Sequence, residues 1–132
     1  MRLFRESTVA YAHCDLPCGV YDPAQARIEA ESVKAIMEKY QGNEDPVFRT
    51  RAIIIKEQRA ELVKHHLWVL WTDYFKPPHF EKYPQLHELF NKATKQAGAA
   101  GGKGEINPEE GQKLLDQIAE IDKIFWETKN AS

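Results

Sequence analysis

Three steps of an Asp or Asn followed by proline divide this chain: Asp22-Pro23, Asp45-Pro46 and Asn107-Pro108. Each sets a side chain that can accept from free helical N–H groups just before a proline. The fixed φ of proline suits a first helical turn, and its missing N–H has no partner there anyway. The residues after each step keep helical spacing. After Asp22 come Ala26, Ala30, Val33, Ile36, Met37 and Tyr40, until Gly42-Asn43 stops the run. After Asp45 a long helix passes through Ile53, Ile54, Leu62, Val69 and Leu70 to Phe75. Lys76-Pro77-Pro78 ends it, because two prolines remove donors and clash with the preceding turn. A third helix starts near Tyr83-Pro84 and carries Leu86, Leu89, Phe90 and Ala93. A fourth runs from Pro108 through Leu114, Leu115, Ile118, Ile121, Ile124 and Phe125, and the four glycines of residues 98–104 read as a flexible connection before it. No segment sustains the period-two alternation of a strand. The expectation is an all-α chain, an up-and-down four-helix bundle over about residues 23–128, with an N-terminal segment partly outside it.

Composition narrows the function classes. The chain has 132 residues, 42% hydrophobic and 29% charged, the balance of one globular domain. Its 18 Lys and Arg against 20 Asp and Glu leave a formal charge of −2, with no basic patch of the kind a nucleic-acid partner requires. The longest apolar run, residues 67–71, is far short of the roughly 18 residues of a membrane span. Two cysteines cannot build a disulfide framework, so helix burial must hold the fold.

A helical bundle raises the question of a di-iron site, which needs paired Glu-x-x-His motifs. No Glu here has a His three residues later. His65, His66, His79 and His87 therefore read as surface or packing residues. Gly-x-Ser-x-Gly and the phosphate-binding Gly-x4-Gly-Lys-Ser/Thr are both absent.

What remains is His13-Cys-Asp-Leu-Pro-Cys-Gly-Val-Tyr21, with both cysteines and a histidine in one short segment. Pro17 and Gly19 can bend it so that the sulfurs of Cys14 and Cys18 face one point. A short-loop disulfide or two reduced thiols would fit the same spacing. Structural zinc would need further ligands, and a thioredoxin-type motif would need Cys-x-x-Cys. Before this segment stand Arg2, Arg5 and then Ala10-Tyr11-Ala12, a small-x-small sequence like a peptidase site, without the apolar stretch of a secretory signal. Residues 1–12 are then either a frayed terminus or a short propeptide. Cleavage after Ala12 would free the His13 α-amine, whose pKa near 7.7–8.0 makes its neutral form accessible. Together with the Cys14 amide nitrogen and two thiolates it gives two nitrogens and two sulfurs in a plane. That donor set suits square-planar Ni(II), with the His13 imidazole left for an axial position.

His13-Cys-Asp-Leu-Pro-Cys-Gly-Val-Tyr-Asp-Pro23 resembles the nickel hook of nickel-containing superoxide dismutases. The resemblance extends over the chain after residue 12. It takes in Lys56-Glu-Gln-Arg-Ala-Glu61, Asp73-Tyr-Phe-Lys-Pro-Pro-His-Phe-Glu-Lys-Tyr-Pro84 and Ile121-Asp-Lys-Ile-Phe-Trp-Glu127. It implies an oxidoreductase that disproportionates superoxide to dioxygen and hydrogen peroxide by Ni(II)/Ni(III) cycling. It further implies one nickel ion per subunit, held by His13, Cys14 and Cys18, a propeptide over residues 1–12 removed by a processing protease, and a mature domain over residues 13–132 with its hook at 13–21. Glu29 would orient the His13 ring, and Arg59 would reach over from a neighbouring subunit. Tyr21 and Tyr74 would line the substrate approach, while Asp15 and Pro17 shape the hook. A cytoplasmic homo-oligomer, a hexamer by the family pattern, is expected. Trp68, Trp71, Tyr74, Phe75, Phe80 and Trp126 supply more aromatic surface than a small bundle buries easily. If the leader were retained, a non-catalytic metal-binding or redox bundle would be the alternative.

Overall fold

The structure, a computed structural model, describes residues 18–99 and 101–131. Its helices are α1 (Ala24–Gln41), α2 (Pro46–Val69, continuing into a π-helical turn over Leu70–Tyr74), α3 (Pro77–Lys82), α4 (Leu86–Ala97) and α5 (Pro108–Ala131). The proline-led starts act as the sequence implies. Asp45 accepts from Phe48 N at 2.9 Å, and Asp22 and Asn107 accept from Ala24 N and Glu109 N at 2.9 and 3.1 Å. Helices α1, α2, α4 and α5 pack in a ring, α1 on α2 and α5, α4 on α2 and α5. Gly111 of α5 lets α1 approach closely, since a Cβ there would lie 2.8 Å from Lys34 Cβ. The core joins Ala26 and Ala30 to Val63, Leu67, Leu70, Phe75, Phe90, Leu114, Ile118, Ile121 and Phe125. No helix among the described residues is long and apolar enough to cross a membrane.

Four expectations change in detail. A six-residue helix, α3, forms directly on Pro77-Pro78 outside the ring, with His79 Nδ1 accepting from Lys76 N at 3.0 Å, and α4 begins at Leu86 rather than at Tyr83-Pro84. Ile53 and Ile54 are exposed, because the buried stripe of α2 runs through Ala52, Lys56, Ala60, Val63 and Leu67 instead. Where a flexible connection is expected, the described residues of the glycine segment, 98–99 and 101–104, form a hydrogen-bonded turn. Gly102 N donates to Gln96 O at 2.6 Å, Lys103 N to Gly98 O at 2.9 Å, and Gly101 and Gly102 are buried. Lys56, 1% exposed, donates from Nζ to Lys103 O and Glu105 O at 2.9 and 2.7 Å and so ties that turn to α2. Finally, most of the aromatic surplus packs within the chain. Phe75 is buried, Trp68, Trp71, Tyr74 and Phe80 are half-buried, and Trp126 alone of the six is exposed. The exposed apolar surface is mainly aliphatic: Val20, Ile28, Val47, Ile53 and Ile54.

Candidate metal centre

Cys18 carries a free, exposed thiol on the segment leading into α1. Its shape comes from Gly19, whose φ of +74° lies in the left-handed region that glycine enters without a Cβ penalty. Val20 N then points back and donates to Cys18 Sγ at 3.4 Å. Two residues on, the Tyr21 ring meets that of Tyr74, with centroids 5.7 Å apart. Asp22 and the buried Pro23 start α1 immediately after.

Tyr74 is fixed from several sides. Its hydroxyl shares a 2.8 Å hydrogen bond with Thr128 Oγ1, which itself donates to Phe125 O at 2.7 Å. Its ring packs on Phe125 and Phe75 at 4.4 and 4.9 Å and lies parallel to His79 at 5.7 Å. Burial first, and the Lys76 charge second, hold the His79 pKa below the ordinary imidazole range, so this ring favours its neutral form. The Lys129 ammonium of α5 stands 5.7 Å from the Tyr74 ring centre and donates to Gly19 O at 3.3 Å. Thr128, Lys129 and the stacking role of His79 were not legible in the sequence. Thr128 and Lys129 lie far along the chain from Tyr74 and Gly19, and His79 reaches Tyr74 only across the break at Lys76-Pro77-Pro78.

Of the residues expected at the site, Tyr21 and Tyr74 meet, and Cys18 stands three residues before Tyr21 on the same segment. His13, Cys14, Asp15 and Pro17 lie outside the described residues, as does the segment expected to be cleaved. Glu29 and Arg59 form a separate pair, Arg59 Nη1 donating to Glu29 Oε1 at 3.0 Å. Within the chain, then, Arg59 meets Glu29. Glu29 borders the buried stripe of α1 at Ala26, Ala30 and Val33. Arg59 borders that of α2 beside Ala60, so both flank one seam of the same chain.

Among the described residues no group of three or more His, Cys, Asp or Glu gathers that could hold a metal. Cys18 nonetheless fits one. It is a soft donor, exposed, on a turn that leaves its sulfur open to ligands from the segment before it.

A ring of four helices with a cysteine-bearing loop braced by tyrosines at one end defines a helical protein with its candidate metal site in the N-terminal segment. The sequence profile of nickel-containing superoxide dismutases matches residues 8–129, and the chain belongs to that family. It is 69% identical to the nickel superoxide dismutase of Streptomyces coelicolor over 130 residues, 98% of each chain. The likeness therefore extends into residues 1–12 as well as the chain after them. A native nickel superoxide dismutase structure aligns with a TM-score of 0.86 and 71% identity, covering 89% of this chain and 99% of that one. A nickel superoxide dismutase variant with the histidine numbered first replaced by alanine aligns with a TM-score of 0.81 and 70% identity, covering 83% of this chain and 99% of that one.

Proposed function

We propose that residues 1–12 are removed and that His13, Cys14 and Cys18 then hold the nickel at which this superoxide dismutase turns over. The observation that carries the reading is the Cys18 turn, an exposed thiol next to the left-handed Gly19 and three residues before Tyr21, whose ring meets Tyr74. The comparisons support the cut. The full-length relative covers 98% of this chain and the solved native chain 89%, a difference about the size of the leader. In the solved variant a histidine is numbered first, where cleavage after Ala12 would put His13.

When bound, nickel supplies a Ni(II)/Ni(III) couple that thiolate and amide donors bring between the oxidation and the reduction of superoxide. Cys14 and Cys18 would contribute sulfur, the Cys14 amide and the freed His13 amine would contribute nitrogen, and the His13 imidazole would offer a further nitrogen. Glu29 orients that imidazole, and Arg59, bonded to Glu29, holds the carboxylate in place, the usual task of groups just behind metal ligands. Two superoxide anions and two protons give dioxygen and hydrogen peroxide. Tyr21 and Tyr74 line the approach and order the water that brings those protons, with Tyr74 Oη held by Thr128. Asp15 and Pro17 shape the loop. The exposed aliphatic side chains Val47, Ile53 and Ile54 support a homo-oligomer, hexameric by the family pattern. A cytoplasmic setting, where thiols stay reduced, suits two thiolate ligands.

The test is metal content and superoxide dismutation before and after removal of residues 1–12, with the mass of the protein from its own cell. A chain that starts at His13 and gains nickel and activity on cleavage is expected. A fully active, nickel-loaded protein with an intact Ala12–His13 bond would overturn the scheme.

A further inference from the structure

The Cys18 loop is joined to the opposite end of the chain. Lys129, in the last turn of α5, donates from Nζ to Gly19 O, 110 positions away in sequence. The same ammonium stands over the Tyr74 ring, and Tyr74 in turn meets Tyr21. Gly19, Lys129, Tyr74 and Tyr21 thus close a ring of contacts around the turn that presents Cys18. A cation in a last helical turn is already favoured by the helix dipole. Its flexible four-carbon stem lets the charge reach a carbonyl off the helix.

We propose that Lys129 is a positioning residue for the metal centre: its ammonium pins the Gly19 carbonyl to the end of α5 and so fixes where the Cys18 sulfur is presented. This rests on the reading of Cys18 as a nickel ligand. Without the tie, the described part of the turn keeps the Tyr21–Tyr74 ring contact and the local Val20 N to Cys18 Sγ bond. The second of these orders the turn internally but does not anchor it to the bundle.

The test uses the processed, nickel-loaded full assembly carrying Lys129→Met or Lys129→Arg. Two quantities are followed, the rate of nickel loss to excess chelator and hydrogen exchange at the Val20 amide. Lys129→Met is expected to speed both about fivefold, equivalent to about 1 kcal/mol at 1.4 kcal/mol per tenfold. Lys129→Arg, which keeps a donor and a charge, is expected to restore the parent rates, and the melting temperature of both variants to match the parent. Parent rates in Lys129→Met, equal losses in both variants, or a fall in melting temperature that accounts for the faster loss would each overturn the proposal. Cys18→Ser run alongside separates the two readings. Stoichiometric nickel in that variant would defeat the ligand assignment itself, whatever Lys129 does.

Discussion

Replacing Lys56 by methionine should loosen the glycine turn and lower stability by about 2 kcal/mol. The methionine keeps most of the apolar stem that α2 buries, so little cavity is left. What disappears is the ammonium that donates to Lys103 O and Glu105 O at 2.9 and 2.7 Å. Hydrogen bonds to charged groups are worth about 1.5–3 kcal/mol each, so the gross loss is roughly 3–6 kcal/mol. Against it stands relief from burying a charge. Desolvation lowers the Lys56 pKa, with Glu57 and Glu105 partly countering it, so the folded protein already bears a penalty that methionine removes. With that relief offsetting roughly half of the gross loss, about 2 kcal/mol remains, which for a chain of this size is a melting temperature lower by roughly 6 °C. Thermal unfolding followed by circular dichroism at matched subunit concentration measures it, since an assembly melts in a concentration-dependent way. Amide exchange at Lys103 should accelerate in parallel. A methionine variant that melts at or above the parent would show that the buried charge, not its two hydrogen bonds, dominates at this position.

Gly102→Ala should destabilise the same turn by about 1–3 kcal/mol, because its Cβ would lie 2.6 Å from the Ala97 carbonyl oxygen, which is backbone and cannot swing aside; a urea midpoint unchanged from the parent would contradict this. His79 has a folded pKa below its unfolded value, so the stability it contributes is present above about pH 6.5 and is lost as pH falls through the folded value. Protonation would also cost the bond that Nδ1 accepts from Lys76 N, so the parent should lose melting temperature on acidification more steeply than His79→Gln, and parallel profiles would refute it. Cys18→Ser should abolish both nickel binding and dismutation, whereas His65→Gln and His87→Gln should keep their nickel; metal analysis decides, and near-normal turnover in Cys18→Ser would sink the assignment.

The starts of α1, α2 and α5 were legible because their causes are local: an Asx side chain, a proline and an apolar period within one or two turns. The α5 stripe Leu114, Ile118, Ile121 and Phe125 reads from the sequence and is buried as read. The end of the α2 stripe reads, at Val69, Leu70 and Phe75, but its first half does not, because the inward positions there are Ala52, Lys56 and Ala60 while the isoleucines at 53 and 54 face out. Small residues let helices approach, and a lysine can be buried where carbonyls receive it, but neither gives a hydrophobic signal. The glycine segment misleads for a related reason. Flexible linkers and tight turns share a composition, and only the partners at Gln96, Gly98 and Lys56 separate them. At the candidate site, the spacing of His13, Cys14 and Cys18 marks the segment proposed to hold nickel, whereas the contacts of Thr128 and Lys129 depend on where α5 ends in space.

Tyr74 shows how local irregularity and the site are joined. The α2 ladder gives way to a π-helical turn at Leu70–Tyr74, closed by Phe75 N donating to Leu70 O at 3.0 Å. One added residue in a helical turn displaces the residues beyond it by about 100° relative to α-helical register. Here Leu70 and Phe75 both reach the core, and Tyr74 between them is half-buried, with its hydroxyl on Thr128 and its ring against Tyr21. The two prolines after Lys76 prevent the helix from resuming its former course, so Phe75 and Lys76 are extended and α3 sets His79 beside Tyr74. Such π-helical turns are uncommon and recur at functional sites. In this chain the turn takes a tyrosine from the seam of the bundle and delivers it to the loop that carries Cys18.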